Sequence, residues 1–173
     1  KLDRLVGLTI VAELDIFDIL HEKITRIDSE LLKIANQDKE IQMLMTIPGI
    51  GEITAMTYQA EIFDPTRFTD SRKVGAYLGM TPTQYSSGET QKQGRISKCG
   101  NSELRFLLSE AALVVLTRSK KWSRLKAWGL RLMRKKGVKK ACMAVGRKLA
   151  VIMHRMLVTQ KPFIYGEQIS KAA

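Results

Sequence analysis

Three observations predict a mainly α-helical fold for this chain. Apolar residues near the N-terminus recur at steps of three and four, several helix-length segments are separated by Pro and Gly breaks, and only one segment is too polar to pack as a helix. The first is carried by Phe17, Leu20, Ile24, Ile27, Leu31 and Ile34, the a/d rhythm of a coiled coil, with Glu22, Lys23, Arg26, Asp28 and Glu30 interleaved. This predicts one long amphipathic helix, with a homo-oligomer formed through it or packing within its own domain as the two ways to cover the stripe. Leu5, Leu8 and Val11 keep the apolar character upstream, although Gly7 predicts a ragged start.

Ile41–Leu44 opens a second helix, which Ile47-Pro48-Gly49-Ile50-Gly51 must end, since proline lacks a donor and glycine permits a tight reversal. A third runs from about Glu52 to Ile62. Asp64-Pro65-Thr66 is a turn, Phe68–Leu78 a short helix, and Gly79-Met80-Thr81-Pro82 breaks it. From Thr83 to Gly100 the chain reads as a polar loop or a loose hairpin. Asn101 caps the next helix, with Glu103 in its first turn where the helix dipole favours an acid. A basic helix over Ser123–Lys135, a break at Lys136-Gly137 and a last helix over Lys139–Leu157 complete the series. The expected organisation is a helical arm over 1–40, a helical domain over 41–166 and a tail over 167–173.

The 173 residues suit one compact domain with an extended arm. No apolar run is long enough for a membrane span, and a chain opening on Lys1 is read as a soluble piece of a longer protein. Cys99 and Cys142 have no CxxC spacing and the histidines are only His21 and His154, so no zinc set can be assembled; a reducing, cytoplasmic setting is the default. No cofactor is expected in this piece.

Charge is distributed unevenly around the net of +12. Residues 1–64 carry 6 Lys/Arg against 12 Asp/Glu, whereas residues 111–166 carry 15 Lys/Arg and no acid. Such a cationic field repels itself unless a polyanion is its partner, and nucleic acid is the polyanion it suits best. Lys135, Lys136, Lys139 and Lys140 are candidate contacts within it.

Two motifs carry chemistry. Leu44–Ala55 resembles the helix-hairpin-helix element of DNA repair and recombination proteins. Gly49 and Gly51 there would bring backbone N–H groups of the following helix to a phosphate; a purely structural αα-hairpin is the alternative. The other is Tyr85-Ser86-Ser87-Gly88, followed by Lys92, Arg95 and Lys98. Serine before glycine is usually turn chemistry, and no histidine adjoins it in sequence to act as base.

IPGIGEITA, RKVGAYLGMTPTQYSSG, GRISKCGNSELRFLL and KKGVKKACMAVGRKLAVIMHRML, in that order over roughly residues 41–163, resemble the C-terminal domain of the Piv/MooV, or DEDD, transposases. These are the recombinases of the one-hundred-and-ten family of insertion sequences, bridge-RNA-guided recombinases. The resemblance implies DNA and a guide RNA as partners. It also implies a RuvC-like domain elsewhere whose four acids hold magnesium, and a serine nucleophile in the Y-x-S-G motif. That serine falls on Ser87, with Ser86 in the variable place. Family members carry arginines just after Ser-Gly, where this chain has Glu89-Thr90-Gln91-Lys92-Gln93, which leaves Arg95 and Lys98 as anion-stabilising candidates. The chain by itself is expected to bind nucleic acid without cutting it. A non-catalytic helix-hairpin-helix binding module is the rival reading; the Tyr85–Gly88 and Gly94–Asn101 segments, unneeded in such a module, speak against it.

Overall fold

The computed structural model describes residues 2–87 and 90–165, with side chains for all of these except 2, 4, 85–87 and 90–93. The chain divides into two compact units, Lys1–Asp38 and Lys39–Ala173. The tail expected over 167–173 lies outside the described residues.

The first unit is one helix, α1 (Leu2–Gln37). It runs through Gly7 without a break, because a single glycine costs only about 1 kcal/mol against its helix-forming neighbours. Most of its heptad-spaced apolar stripe is exposed, with Phe17 63% and Ile24 and Ile27 each 55% exposed and Leu31 half-buried.

The second unit is mainly helical: α2 (Lys39–Leu44), α3 (Glu52–Ile62), a 3-10 turn (Pro65–Arg67), α4 (Arg72–Tyr77), strands β1 (Pro82–Ser87) and β2 (Thr90–Ile96), α5 (Ser102–Thr117), α6 (Arg124–Lys136) and α7 (Val138–Thr159). Helix α4 is shorter than the 68–78 read from sequence. The Asp64 carboxylate accepts from the Thr66 amide and hydroxyl and tightens the 3-10 turn. Phe68 is extended, and Asp70 accepts from the Arg72 amide, so the helix starts only there.

Helix α7 is the axis of the unit, packed against α5, α6, α4 and the 3-10 turn. Its buried face includes Ala141, Val145, Leu149, Ala150, Met153 and Met156, an amphipathic helical pattern. Small residues set the closest approaches. A Cβ on Gly146 would lie 2.9 Å from the Leu108 carbonyl oxygen of α5, and one on Gly129 of α6 would lie 2.6 Å from Leu116 Cδ2. Two buried polar groups tie distant segments to α7. The Tyr58 hydroxyl of α3 donates to the Ala150 carbonyl at 2.6 Å. His154 Nε2 lies 2.9 Å from the Pro65 carbonyl, which can only accept, so Nε2 carries the hydrogen. In the neutral ring Nδ1 then accepts from Ser71 Oγ, 2.9 Å away. Both residues are satisfied inside the core, as buried polar groups must be.

Caps hold the remaining joints. Asn101 Oδ1 accepts from the amides of Glu103 and Leu104 at the start of α5, while its Nδ2 donates to Glu61 at the end of α3. Ser123 Oγ accepts from the Lys126 amide to start α6. Gly137, at φ +84°, separates α6 from α7.

The polar segment is a true antiparallel hairpin. Pro82 pairs with Ile96, Tyr85 with Lys92 and Ser87 with Thr90, with an irregularity between Pro82 and Gln84. Its neck is a close crossing. Gly79, at φ +67°, lies so near the Cys99 backbone that a Cβ could not be accommodated, and the Lys98 amide donates to the Gly79 carbonyl at 3.0 Å. Arg105 Nη1 closes the neck from α5 by donating to the carbonyls of Leu78, Cys99 and Gly100 at 3.2, 3.0 and 2.9 Å.

Candidate nucleic-acid interface

One face of α7 is left for a site. Lys139, Lys140, Met143, Ala144, Arg147, Lys148, Val151 and Ile152 recur at steps of one and three, the spacing of a single helical stripe. The stripe forms one wall of a cavity of about 1150 Å³. Arg72 of α4, Trp128 of α6 and the hairpin base, with Arg95, Ile96 and Lys98, form the others. Seven cations thus converge on it, and none of its described lining residues is acidic.

Local packing sets these cations. Gly75 makes room for the Arg147 stem: a Cβ there would lie 2.9 Å from Arg147 Cγ. Lys148 Nζ lies 4.3 Å from the centre of the Trp128 ring, a cation–π contact. Burial, and then the neighbouring Arg147 charge, hold the Lys148 ammonium below the usual lysine value. Lys98 is in the left-handed region at φ +58°, a conformation held by the neck around it.

The candidates read from the sequence therefore separate into groups. Arg95, Lys98, Lys139 and Lys140 share the cavity. Lys135 and Lys136 are exposed on the last turn of α6 and do not line it. Gly49 and Gly51 lie in the α2–α3 connection, away from the cavity lining. Gly49 is at φ +83°, and Gly51 is the N-cap of α3 with no side-chain cap and nothing within 4 Å of a Cβ placed on it. Lys92 pairs with Tyr85 along the strands, but its side chain lies outside the described residues.

Ser87 ends β1, paired with Thr90, at the opposite end of the hairpin from the neck; its side chain, and residues 88–89, lie outside the described residues. Five residue steps of strand lead to it from Pro82, roughly 17 Å at the usual rise. Arg95, whose carbonyl accepts from the Thr83 hydroxyl, and Lys98 belong to the neck end rather than to the Ser87 end.

Sequence reasoning did not single out Arg72, Arg147, Lys148 and Trp128. The α7 stripe from 139 to 152 was a signal for two of them; Arg72 and Trp128 reach the site only through tertiary packing. His154 is absorbed by the core. Among the described residues no three of His, Cys, Asp and Glu gather to hold a metal. No described helix is long and apolar enough to cross a membrane.

Comparison with known proteins identifies the family. Residues 41–127 match the Transposase IS116/IS110/IS902 family, and the chain belongs to that family. It is 34% identical over 146 residues to the transposase for insertion sequence element IS1111A of Coxiella burnetii, covering 84% of this chain and 40% of that protein. It is 39% identical over 113 residues to the transposase for insertion sequence element IS1328 of Yersinia enterocolitica, covering 65% of this chain and 34% of that protein. The pilin gene-inverting protein of Moraxella bovis is 29% identical over 151 residues, 82% of this chain and 45% of that protein. The chain thus spans less than half the length of these relatives.

Proposed function

We propose that this chain is the DNA-engaging C-terminal part of an insertion-sequence transposase, with Ser87 as the nucleophile of strand exchange. One observation carries most of the reading: in a chain of this family, a hairpin ends at Ser87 while its base opens onto a cavity lined by seven cations. A nucleic-acid strand whose phosphates engage the cavity could extend along the hairpin toward Ser87, a distance of roughly five nucleotide steps at about 3.4 Å each.

In the proposed step Ser87 Oγ attacks the scissile DNA phosphate. A serine–phosphate bond forms, the scissile P–O bond breaks, and the serine proton ends on the released deoxyribose hydroxyl. The phosphodiester count is unchanged, so a second DNA end can reverse the step on the serine ester and be joined. Residues of this chain bind and orient the strand; Lys98, Arg147 and Lys148 supply positive charge near phosphates. The α2–α3 turn supplies a second, sequence-independent phosphate contact through the free amides behind Gly51. The guide RNA implied by the resemblance would select the target by base pairing. The metal-bearing half would lie in the part of the relatives that this chain does not span.

The test uses a full-length protein carrying this chain. Ser87→Ala should abolish strand exchange and the covalent protein–DNA adduct while DNA binding persists, since no other group replaces the attacking oxygen. Ser86→Ala and Ser97→Ala should retain both activities. A serine-linked adduct recovered from the Ser87→Ala protein, or one lost only on changing Ser86, would assign the nucleophile elsewhere.

A further inference from the structure

The cavity beside the hairpin neck combines two chemistries that a duplex backbone does not use together. Its exposed rim is cationic, with Lys98, Lys139 and Arg147, whereas the half-buried Met143 and Trp128 and the buried Ile152 give it an apolar floor, with Lys148 Nζ over the Trp128 ring. Duplex DNA holds its bases in the stack and turns its phosphates outward. Laid across the rim it would satisfy the cations and leave the floor to water. A nucleotide whose base has left the stack matches both parts, because every base has an apolar face and a charged phosphate on either side.

We propose that this cavity receives an unpaired nucleotide of a DNA strand, its base on the Met143–Ile152–Trp128 floor and its flanking phosphates against Lys98, Arg147 and Lys148. The inference rests on the reading of the chain as a DNA-engaging transposase part, and adds the form in which DNA enters.

Two features of the site favour an anionic occupant with a flat ring. Lys148 sits half-buried over Trp128, next in sequence to the exposed Arg147, with no acid among the described lining residues, so its charge is left without a carboxylate partner there and a phosphate would supply one. Lys98 is kept in a left-handed conformation at the rim by the neck hydrogen bond to Gly79, a backbone strain of the kind stored at ligand sites. The cavity, at about 1150 Å³, exceeds what one base needs and so can admit a base with its sugar and neighbours.

Trp122 and Trp128 are the two tryptophans, and Trp122 is 67% exposed and outside the cavity lining. A Trp122→Phe protein therefore reports on Trp128 alone. It is titrated, by tryptophan fluorescence and by anisotropy of the labelled strand, with oligo-dT of about 16 nucleotides, the same strand with abasic sites throughout, oligo-U, and a closed-ended duplex. Oligo-dT should quench Trp128 and bind at least about tenfold tighter than the abasic strand. The duplex should bind through charge without quenching.

Ala144→Phe, which adds a ring to the cavity wall beside Met143, should reduce oligo-dT affinity to the abasic level, a larger loss than any in duplex binding. Equal affinity for oligo-dT and the abasic strand, with no quenching by either, overturns the inference while continued duplex binding leaves the proposed function standing. Absence of binding to every probe counts against both. Oligo-U bound more than about tenfold tighter than oligo-dT would overturn the assignment to DNA in favour of RNA.

Discussion

A methyl group on Gly49 would lie 2.7 Å from the Ala111 carbonyl oxygen and 3.0 Å from Val114 Cβ, on a backbone at φ +83°. Two residues on, Gly51 has φ −96° and open space where a Cβ would stand. The two glycines of one motif therefore do different things. Gly49 lets the α2–α3 turn approach α5, whereas Gly51 leaves the start of α3 uncovered. Gly49→Ala should destabilise the fold by about 2 kcal/mol or more, from strain and overpacking together. Gly51→Ala should change stability by less than about 1 kcal/mol, because alanine is only a poorer N-cap. Chemical denaturation measures both. If the α3 amides hold a phosphate, Gly51→Ala should also weaken duplex binding several-fold at unchanged stability. Unaltered binding by a folded Gly51→Ala protein would make the turn an αα-hairpin and nothing more.

Among the elements, α1 carries the largest unanswered apolar surface. Its stripe from Phe17 to Ile34 has heptad spacing, and from Leu5 to Leu20 exposed apolar side chains stand on every side of the helix. Burying large apolar residues is worth roughly 1.5 kcal/mol or more each, so the five exposed ones on this stripe, Phe17, Leu20, Ile24, Ile27 and Ile34, favour association strongly. We propose that the chain self-associates through α1. Sedimentation should show an oligomer for the unaltered chain and a folded monomer for Ile24→Asp/Ile27→Asp, which disrupts the stripe without touching the upstream region. A monomeric unaltered chain would rule this out. The hairpin is the element whose role depends most on its anchorage. Few of its residues can be buried, so its direction is set at the neck by Gly79, Lys98 and the three carbonyl bonds of Arg105.

At the scale of the molecule, the acid-free block of residues 111–166 folds so that α7 turns one face to the core and another, with Lys139, Lys140, Arg147 and Lys148, to the cavity. If this is the surface that DNA engages, log affinity for duplex must fall linearly with log salt, by about 0.9 for each phosphate neutralised. Lys139→Ala/Lys140→Ala should lower that slope by about 2 and weaken all sequences alike. A slope left unchanged in a salt titration of the double variant would move the duplex to another face, such as that of Lys135 and Lys136. A changed preference among sequences would mean that these lysines reach base edges.

The helices were legible along the chain because their signals are local. Apolar spacing, Pro48, Gly137 and the cap Asn101 act within a turn or two of where they stand, so the mainly α class, α3 at Glu52–Ile62 and the α5 start follow from sequence alone. The basic block and the ordered family motifs were legible for the same reason, as linear patterns. The cavity was not. Arg72, Arg95, Trp128 and Lys148 come from four elements and meet only in the folded unit, where Gly75 and Gly129 let α4 and α6 close on α7. Tertiary packing likewise decided that Arg95 and Lys98 belong to the neck end of the hairpin and that His154 bridges Ser71 and Pro65 inside the core. The physical reason is sequence distance: a spacing rule reaches one helical turn, while the contacts that build this site run from Trp128 to Lys148 and from Gly75 to Arg147.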